Sequence, residues 1–291
     1  EREAGVRVAE LDGIILADAG FLLHYVDGPV DSVSDLDTLI NGCAGDVERN
    51  AFEEYCPFLT PANLTREIQL QVQASLESLA WIREVRSPPE RTYKIGGSVP
   101  QGVGPSGKDL AGYLRHHPQV VEDTNRWLAD LDIPYSVEIE VLEPSSRGVV
   151  SVRLRDVSRD PAVEVAFSDV GYGISQVLPL IVQSVGQPDG MVVIQQPEVH
   201  IHPRLQADLG DFFAKESETK QFLIETHSEH LMLRLLRKVR EGELDPDDLS
   251  ILYVDRGTDG STVQRLNVGA DGDFLDEWPG GVFPDRLREL R

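Results

Sequence analysis

A short stretch, residues 191–203 (MVVIQQPEVHIHP), places several groups capable of chemistry directly after an apolar run. Residues 191–194 are apolar and short, which predicts a buried parallel strand. The strand is followed by two amides, a carboxylate and two imidazoles: Gln195, Gln196, Glu198, His200 and His202. Strands of nucleotide-dependent enzymes often end in acids that hold a metal and a water. The pattern therefore leaves three interpretations open: a hydrolase site without its acid, a metal site, or neither.

A second polar strand end lies in residues 223–231 (LIETHSEHL). The apolar start predicts a strand that ends at Glu225, Thr226 and His227, and Ser228 is a suitable N-cap for the helix that follows. Polar groups at the carboxyl end of a parallel strand lie where such sheets bind ligands. His227 is therefore a candidate site residue, and a capping or core histidine is the alternative.

A zinc or manganese site is a further hypothesis for these residues. Its ligands would come from one carboxylate and four imidazoles: Glu198, His200, His202, His227 and His230. Alternate residues of a strand point the same way, so the two rings of an H-x-H pair can converge. Pro203 and a helix follow at once, however, and no Asp-rich strands complete such a site. A metallohydrolase is therefore the less favoured hypothesis.

Small residues open another predicted helix, in residues 167–183 (FSDVGYGISQVLPLIVQ). Gly171, Gly173 and Ser175 would leave backbone N–H groups accessible, with the helix dipole behind them. Such a helix start is suited to bind an anion. An ordinary Gly-rich helix entry is the alternative.

The stretch GVGPSGK, residues 102–108, has the spacing of a phosphate-binding loop. Asp109 stands where a serine or threonine should bind magnesium. A phosphate loop also requires a buried strand before it and a long helix after it, and the preceding residues, SPPERTYKIGGSVPQ, predict no strand. We interpret this stretch as a turn-rich structural loop.

Composition limits the function classes. The 291 residues carry a net charge of −23 and two cysteines, which disfavours non-specific binding to nucleic acid and excludes a cysteine-rich zinc site. The densest basic run, residues 234–240, is interpreted as a solvated helix face. No apolar run is long enough to span a bilayer, and we expect a cytoplasmic protein. The charged first residues and the absence of an initial Met suggest that the sequence begins partway through a longer protein.

The elements that position these residues follow from periodicity. We expect a lead-in over residues 1–85 with a helix at about 61–80, and then a loop, two short helices and an antiparallel β-meander over 86–160. From 161 to 291, helices and strands alternate, which predicts right-handed crossovers and a layered, mostly parallel sheet in an α/β fold. Further strands are predicted at 251–255 and 261–266.

Four motifs together resemble a known family: VGYGISQVLP, QQPEVHIHP, ETHSEHLMLRL and WPGGVF (278–283). Their order and spacing are similar to the C-terminal part of bacterial ABC-type AAA ATPases of the overcoming-lysogeny-defect, SMC-like and RecF-like kind, in particular those with a segment called DUF3696. Two upstream stretches, VGPSGKDLAGYL and NRWLADLDIPY, resemble the same family. The likeness covers about residues 80–291.

The resemblance implies a role for each motif. The signature segment, which reaches a nucleotide held by the partner in a head-to-tail dimer, would comprise Ser168, Gly171, Gly173, Ser175 and Gln176. Gln195 would occupy the position of the magnesium-associated acid and Gln196 that of the catalytic acid. Residues 197–203 would form the D-loop at the dimer interface, and His227 would be the switch histidine that senses the γ-phosphate. ATP and Mg²⁺ are the implied cofactors.

Two departures from the family pattern bear on activity. No credible Walker A loop is present, and we expect that the sequence begins after it. A Gln-Gln pair stands where the family commonly has Glu-Gln, and a neutral amide is no general base and binds magnesium weakly. Glu198 or Glu225 could substitute. Slow hydrolysis and a deliberate Glu→Gln replacement at residue 195 both remain open.

The sequence thus predicts an ATPase that works as a homodimer and is coupled to an effector protein or a DNA-related process. A catalytically weak module for nucleotide sensing or dimerisation is the alternative. Direct contact with nucleic acid is left open, and no membrane contact is expected.

Overall fold

The computed structural model describes residues 66, 69–70, 73, 79–143, 148–187, 190–258 and 260–277. Contacts divide the chain into two compact units, Glu1–Ser78 and Leu79–Arg291. Within the first unit the described residues are helical, as predicted for a helix at about 61–80: Arg66, Gln69, Leu70 and Gln73. The predicted end of that helix is wrong, because Ala80 already belongs to a strand. The other predictions for residues 1–78, and the tail motif at 278–283, lie outside the described residues.

The second unit alternates strands and helices along its described part. Its strands are β1 (Ala80–Ile82), β2 (Tyr93–Lys94), β3 (Tyr135–Val141), β4 (Val149–Asp156), β5 (Val163–Ala166), β6 (Met191–Gln195), β7 (Gln221–Glu225), β8 (Ile251–Gly257) and β9 (Gly260–Leu266). Its helices are α1 (Leu110–His116), α2 (Pro118–Asp130), α3 (Tyr172–Gly186), α4 (Pro203–Glu216) and α5 (Glu229–Glu241). The α/β fold class and the element types after residue 108 agree with the prediction.

A parallel sheet carries the two polar strand ends. Its order is β1-β6-β7, and Ile82, Ile194 and Ile224 are aligned across it. One face of the sheet belongs to the core, where Ile82 and Ile194 are fully buried. The other face exposes Trp81 and Leu223 in the described part of the molecule. Strand β1 was not predicted, because its three residues are too few to show periodicity.

The predicted antiparallel meander forms a second sheet. Its order is β2-β4-β3, and β5 pairs with β4. The central strand β4 is buried at Val150, Val152 and Leu154, whereas its neighbours keep a wetter face. The expectation that no strand precedes the GVGPSGK stretch needs correction, because Tyr93–Lys94 pairs with β4.

Helix α3 is a buried helix of the second unit. Its residues from Ser175 to Ser184 are buried on every side, and it contacts α1, α2 and β6. A helix that is apolar all round is typical of a core position. This burial fixes the helix start, and with it the Gly-rich segment, relative to the carboxyl end of β6.

Helices α4 and α5 connect and follow the parallel strands. Helix α4 contributes Phe212 and Phe213 to the core, and α5 packs along it. Strands β8 and β9 form an antiparallel hairpin of their own, so the parallel sheet of the described residues has three strands. Among those residues, none of the helices combines the length and apolar character that a bilayer crossing needs.

Candidate functional site

The carboxyl ends of β6 and β7 meet at one polar cluster. The side chain of Gln195 donates from Nε2 to Oε2 of Glu225 over 3.0 Å, because the parallel register sets these two residues side by side. The backbone N–H of Gln196 extends the pairing by donating to the Glu225 carbonyl at 2.7 Å. The two strand ends are thus held together by a backbone and a side-chain hydrogen bond.

The chain turns sharply after β6. Gln196 has φ 45°, in the left-handed region that side-chain-bearing residues rarely adopt. The buried side chain of Arg86 approaches this turn, and its Nη2 donates to the carbonyls of Gln195 at 3.0 Å and Gln196 at 3.4 Å. Sequence reasoning missed Arg86, because its contact with this turn depends on the pairing of β1 with β6.

Glu198 is fully engaged by the neighbouring strand end. Its Oε2 accepts from the Thr226 hydroxyl at 2.8 Å, and its Oε1 accepts from the backbone N–H of His227 at 2.6 Å. Both oxygens therefore hold the segment that follows β7. This geometry favours a structural link between the two motifs over a general-base role for Glu198.

Gln206 was also missed by sequence reasoning. Its Nε2 donates to the carbonyls of Glu198 and Ile201, and its Oε1 accepts from the Ser228 hydroxyl at 2.7 Å. Ser228 is the N-cap of α5, as predicted, and accepts from the Leu231 N–H. No sequence pattern marks a glutamine inside α4 as a link between the turn after β6 and Ser228. The link depends on how α4 and α5 pack.

The alternative hypothesis of a zinc or manganese cluster is wrong. The part of the chain that the structure describes contains no group of three or more His, Cys, Asp or Glu side chains arranged to hold a metal. The ring of His202 caps α4 by accepting from the Arg204 N–H, and the ring of His200 packs edge-on against Tyr172 at 4.9 Å. Strand-like alternation does not apply here, because His200 has φ 64° and lies in a turn.

The start of α3 reaches the same cluster. A Cβ at Gly173 would lie 3.1 Å from the carbonyl oxygen of His200, so the small residue permits close approach of the two segments. Gly171 caps the helix, and a Cβ there would meet nothing within 4 Å. Ser168 donates to the exposed carboxylate of Asp169.

Two predicted members of this segment point inward. Ser175 and Gln176 are each 1% exposed. The Ser175 hydroxyl donates to the Tyr172 carbonyl at 2.6 Å and accepts from Gln176 Nε2. The helix turns both side chains into the core, and their contact with a nucleotide stays a prediction.

The GVGPSGK stretch packs as a structural loop. The N–H of Val103 donates to Oε1 of Gln183 at 2.8 Å, and a Cβ at Gly107 would lie 2.9 Å from Pro179. Other amides of the loop close internal turns, and the helix that follows has seven residues. These contacts place the loop against α3 and agree with the interpretation drawn from the sequence.

Comparison with known protein families assigns the chain. Residues 69–233 match the family described as "AAA domain, putative AbiEii toxin, Type IV TA system", so more than half of the sequence is covered. The chain belongs to this AAA family. The match includes the start of α3, the β6 motif and the β7 motif, and it bears out the ATPase-type resemblance at family level. No curated protein matches the sequence.

Several solved structures similar to the chain come from work on SMC ATPases and their heads. One, from work on ATP-driven dimerization and DNA-stimulated activation of SMC ATPases, has a TM-score of 0.42 at 14% identity and covers 62% of this chain and 95% of that one. The Smc head domain from Pyrococcus furiosus bound to the C-terminal domain of ScpA gives 0.40 at 11%, covering 99% and 55%. The SMC head domain from Thermotoga maritima gives 0.39 at 12%, covering 58% of each.

Proposed function

We propose that this chain is the C-terminal part of an ABC-type ATPase that hydrolyses ATP between two protomers. One observation carries the proposal. The start of α3, the turn after β6 and the segment after β7 meet at the carboxyl edge of a parallel sheet, where such sheets bind ligands. Contacts link the three motifs directly, through Gly173 with His200 and through Glu198 with His227.

Mg²⁺ would be held at the Gln195–Glu225 pair. Magnesium prefers oxygen ligands and is usually bound through one or two carboxylates together with phosphates. Glu225 supplies an exposed carboxylate, and Gln195 offers its amide oxygen because only its Nε2 is used by Glu225. These residue types fit the ion, whose charge would offset that of the phosphates.

Glu225 is the better candidate than Glu198 for a carboxylate that acts on the nucleotide or its water. Both oxygens of Glu198 already accept hydrogen bonds from the protein, whereas Glu225 is exposed. The imidazole of His227 is also exposed, and its backbone is fixed by Glu198. The His227 side chain can therefore contact a phosphate while its backbone, which follows β7, stays in place.

The start of α3 supports a dimer in which one protomer contacts the nucleotide of the other. Gly171 is exposed at the N-terminus of a 15-residue helix, which gives the helix dipole and open amides for an anion. Among the described residues, Trp81 and Leu223 are exposed on one sheet face, which supports the view that further protein completes the nucleotide site. The DUF3696 relationship belongs to this proposal as well.

Coupling to an effector protein is favoured over direct binding of nucleic acid by α5. The basic run of that helix is paired with acids: Arg234 with Asp208 and Asp211, Lys238 with Asp211 and Glu243, Arg237 with Glu241, and Arg240 with Asp273. Cations that already pair with acids neutralise few phosphates, so their binding to a nucleic acid releases few of its counterions. The net charge of −23 points the same way.

The test is ATP binding and turnover in this chain and in the longest native form of the protein, with His227→Ala as the informative variant. We expect His227→Ala to lower turnover at least tenfold and to leave ATP affinity within about threefold, because a single transition-state hydrogen bond is lost. His230→Ala is the matched control, since His230 is exposed on α5 one turn away. Unchanged turnover in His227→Ala would remove this histidine from the site.

A nucleotide-sensing module with weak hydrolysis is the second candidate. The Gln195–Glu225 hydrogen bond favours it, because an amide at this position neither binds magnesium strongly nor accepts a proton. ATP-dependent dimerisation without measurable turnover would select this candidate. Turnover that depends on His227 would select the ATPase.

A further inference from the structure

Arg86 is a charged residue in a place where charge is costly. It follows β1 and is 1% exposed. Burial lowers the pKa of its guanidinium to about 10, and the charges of Glu198 and Glu84 act in the opposite direction. A buried charge destabilises a fold unless it is well paired, so the contacts of this guanidinium decide what it can do.

The hydrogen bonds of Arg86 converge on one turn. Its Nη2 donates to the carbonyl oxygens of Gln195 and Gln196, the two residues at the predicted metal and catalytic positions. The other nitrogens, Nε and Nη1, are buried and have no hydrogen-bond partner. The guanidinium thus leaves two of its nitrogens without a hydrogen bond, while the third, Nη2, donates to both carbonyls.

The two carbonyls flank the strained point of the site. Gln196 adopts φ 45°, at an expected cost for a residue with a side chain. This turn directs the chain so that Glu198 reaches the N–H of His227. A guanidinium that holds both carbonyls therefore fixes the turn, and through Glu198 it fixes the strand end that carries the candidate switch histidine.

The loop over residues 83–87 is itself anchored. The N–H of Arg83 donates to the Pro105 carbonyl at 2.8 Å, and that of Ser87 donates to the Ser106 carbonyl at 2.8 Å. Arg86 thus projects from a segment bonded on both sides to the loop that packs on α3. Its contact with the end of β6 links this anchored segment to the turn at Gln195 and Gln196.

We propose that Arg86 is a positioning residue that holds the carboxyl ends of β6 and β7 in the geometry needed for ATP hydrolysis. The proposal rests on the proposed function in its catalytic part. Its structural part, the fixing of Gln196 and His227, does not depend on activity and can be measured alone.

The experiment compares Arg86→Gln and Arg86→Lys with the control Arg83→Gln in the longest native form of the protein. Arg83 is the nearest arginine in sequence, and its guanidinium packs over the Trp81 ring at the surface. Steady-state kcat and KM for ATP with Mg²⁺ are measured for each, together with hydrogen exchange of the backbone amides of Gln196 and His227. The Leu236 amide, in the interior of α5, reports global unfolding.

We expect Arg86→Gln to lower kcat at least tenfold with KM within about threefold, and Arg86→Lys to recover part of kcat because an ammonium can still donate to a carbonyl. Arg83→Gln should stay within twofold of the native protein. Exchange at Gln196 and His227 should accelerate at least tenfold in Arg86→Gln without acceleration at Leu236.

A kcat of Arg86→Gln within twofold of native would overturn the proposal. If Arg86→Gln does not fold, Arg86→Lys decides: a kcat at least threefold below native supports the role, and native kcat overturns it. If the native protein has no turnover, the proposed function fails separately and exchange decides. Acceleration confined to Gln196 and His227 supports the positioning role, and unchanged or uniform exchange overturns it.

Discussion

At the scale of single residues, the site is defined by an amide where an acid is expected. Gln195 donates to Glu225 over 3.0 Å, a favourable pairing of a neutral donor with a carboxylate. A carboxylate in place of Gln195 would face Glu225 at the same separation, and two like charges so close repel each other. The amide at position 195 therefore stabilises the fold when no metal is bound, whereas an acid at this position would bind a metal more strongly.

Gln195→Glu should make folding stability depend on magnesium. Without metal we expect the free energy of unfolding to fall by about 1 kcal/mol relative to the native protein. The fall is modest because solvent and salt partly screen an exposed like-charge pair. The loss should be smaller in acid, because a protonated carboxyl group no longer repels its neighbour. Millimolar Mg²⁺ should restore stability. Thermal melts with EDTA and with Mg²⁺, at two pH values, measure this.

The control for this variant is Gln221→Glu, at the opposite end of β7 and also exposed. It adds the same charge to the same strand, away from Glu225. Equal magnesium effects on the two variants would show that the ion screens charge in general and does not bind at the strand ends.

At the scale of elements, the helices and long strands were predictable because their periodicity extends over many residues. Helix α5, with its Ser228 cap, and the meander β3–β5 agree with the sequence patterns. The short strands β1 and β2 were not predicted, since two or three residues form strands only when neighbours pair with them.

The geometry around the candidate site could be predicted from the sequence only in part. The alternation of strands and helices along the sequence predicts parallel strands. Parallel strands end at the same edge of a sheet, so the meeting of Gln195 and Glu225 could be predicted. The inward direction of Ser175 and the cap formed by His202 could not be predicted, because they depend on the rotation of α3 and on the turn before α4. Arg86 was missed for a related reason, as its role exists only once β1 and β6 are neighbours.

Helices α4 and α5 pack so closely at Gly210 that one added methyl group should lower the stability of the fold. A Cβ at Gly210 would lie 2.8 Å from Cβ and Cγ of Arg234 and 3.2 Å from the Leu231 carbonyl oxygen. Overpacking typically costs about 1–3 kcal/mol, which exceeds the gain of up to about 1 kcal/mol from alanine in a helix. We expect Gly210→Ala to lower the free energy of unfolding by about 1–2 kcal/mol, measured by urea denaturation.

Gly112→Ala in α1 is the matched control. The nearest atom to its new Cβ would be Cγ of Pro100 at 3.3 Å, a side-chain contact that can shift. Its stability should stay within about 1 kcal/mol of native. A Gly210→Ala protein as stable as the control would show that α4 and α5 can separate without loss.

At the largest scale, the unit Leu79–Arg291 has a buried centre and an open edge that carries the candidate site. Helix α3 joins the two, because its body is enclosed by the core while Gly171 remains exposed at its start. The exposed residues of this segment are Asp169, Gly171 and Tyr172, whereas Ser168 and Gly173 are half-buried, so a contact between protomers at this edge would involve these three exposed positions first. A substitution at Ser175 would instead disturb the core and could not test dimerisation.

Gly171→Arg should therefore block ATP-induced dimerisation without harming the fold. Gly171 has φ −56°, a backbone that any residue adopts, and a Cβ there meets nothing within 4 Å. Arginine would add bulk at the start of α3, where a partner's nucleotide is proposed to bind.

The measurement is molar mass by light scattering with and without ATP and Mg²⁺, and Gly96→Arg is the matched control, since a Cβ at Gly96 also meets nothing within 4 Å. The native protein and Gly96→Arg should double in mass with ATP, and Gly171→Arg should remain a monomer. A Gly171→Arg protein that still doubles in mass would place the dimer interface elsewhere, because the added side chain can be accommodated only where no partner approaches.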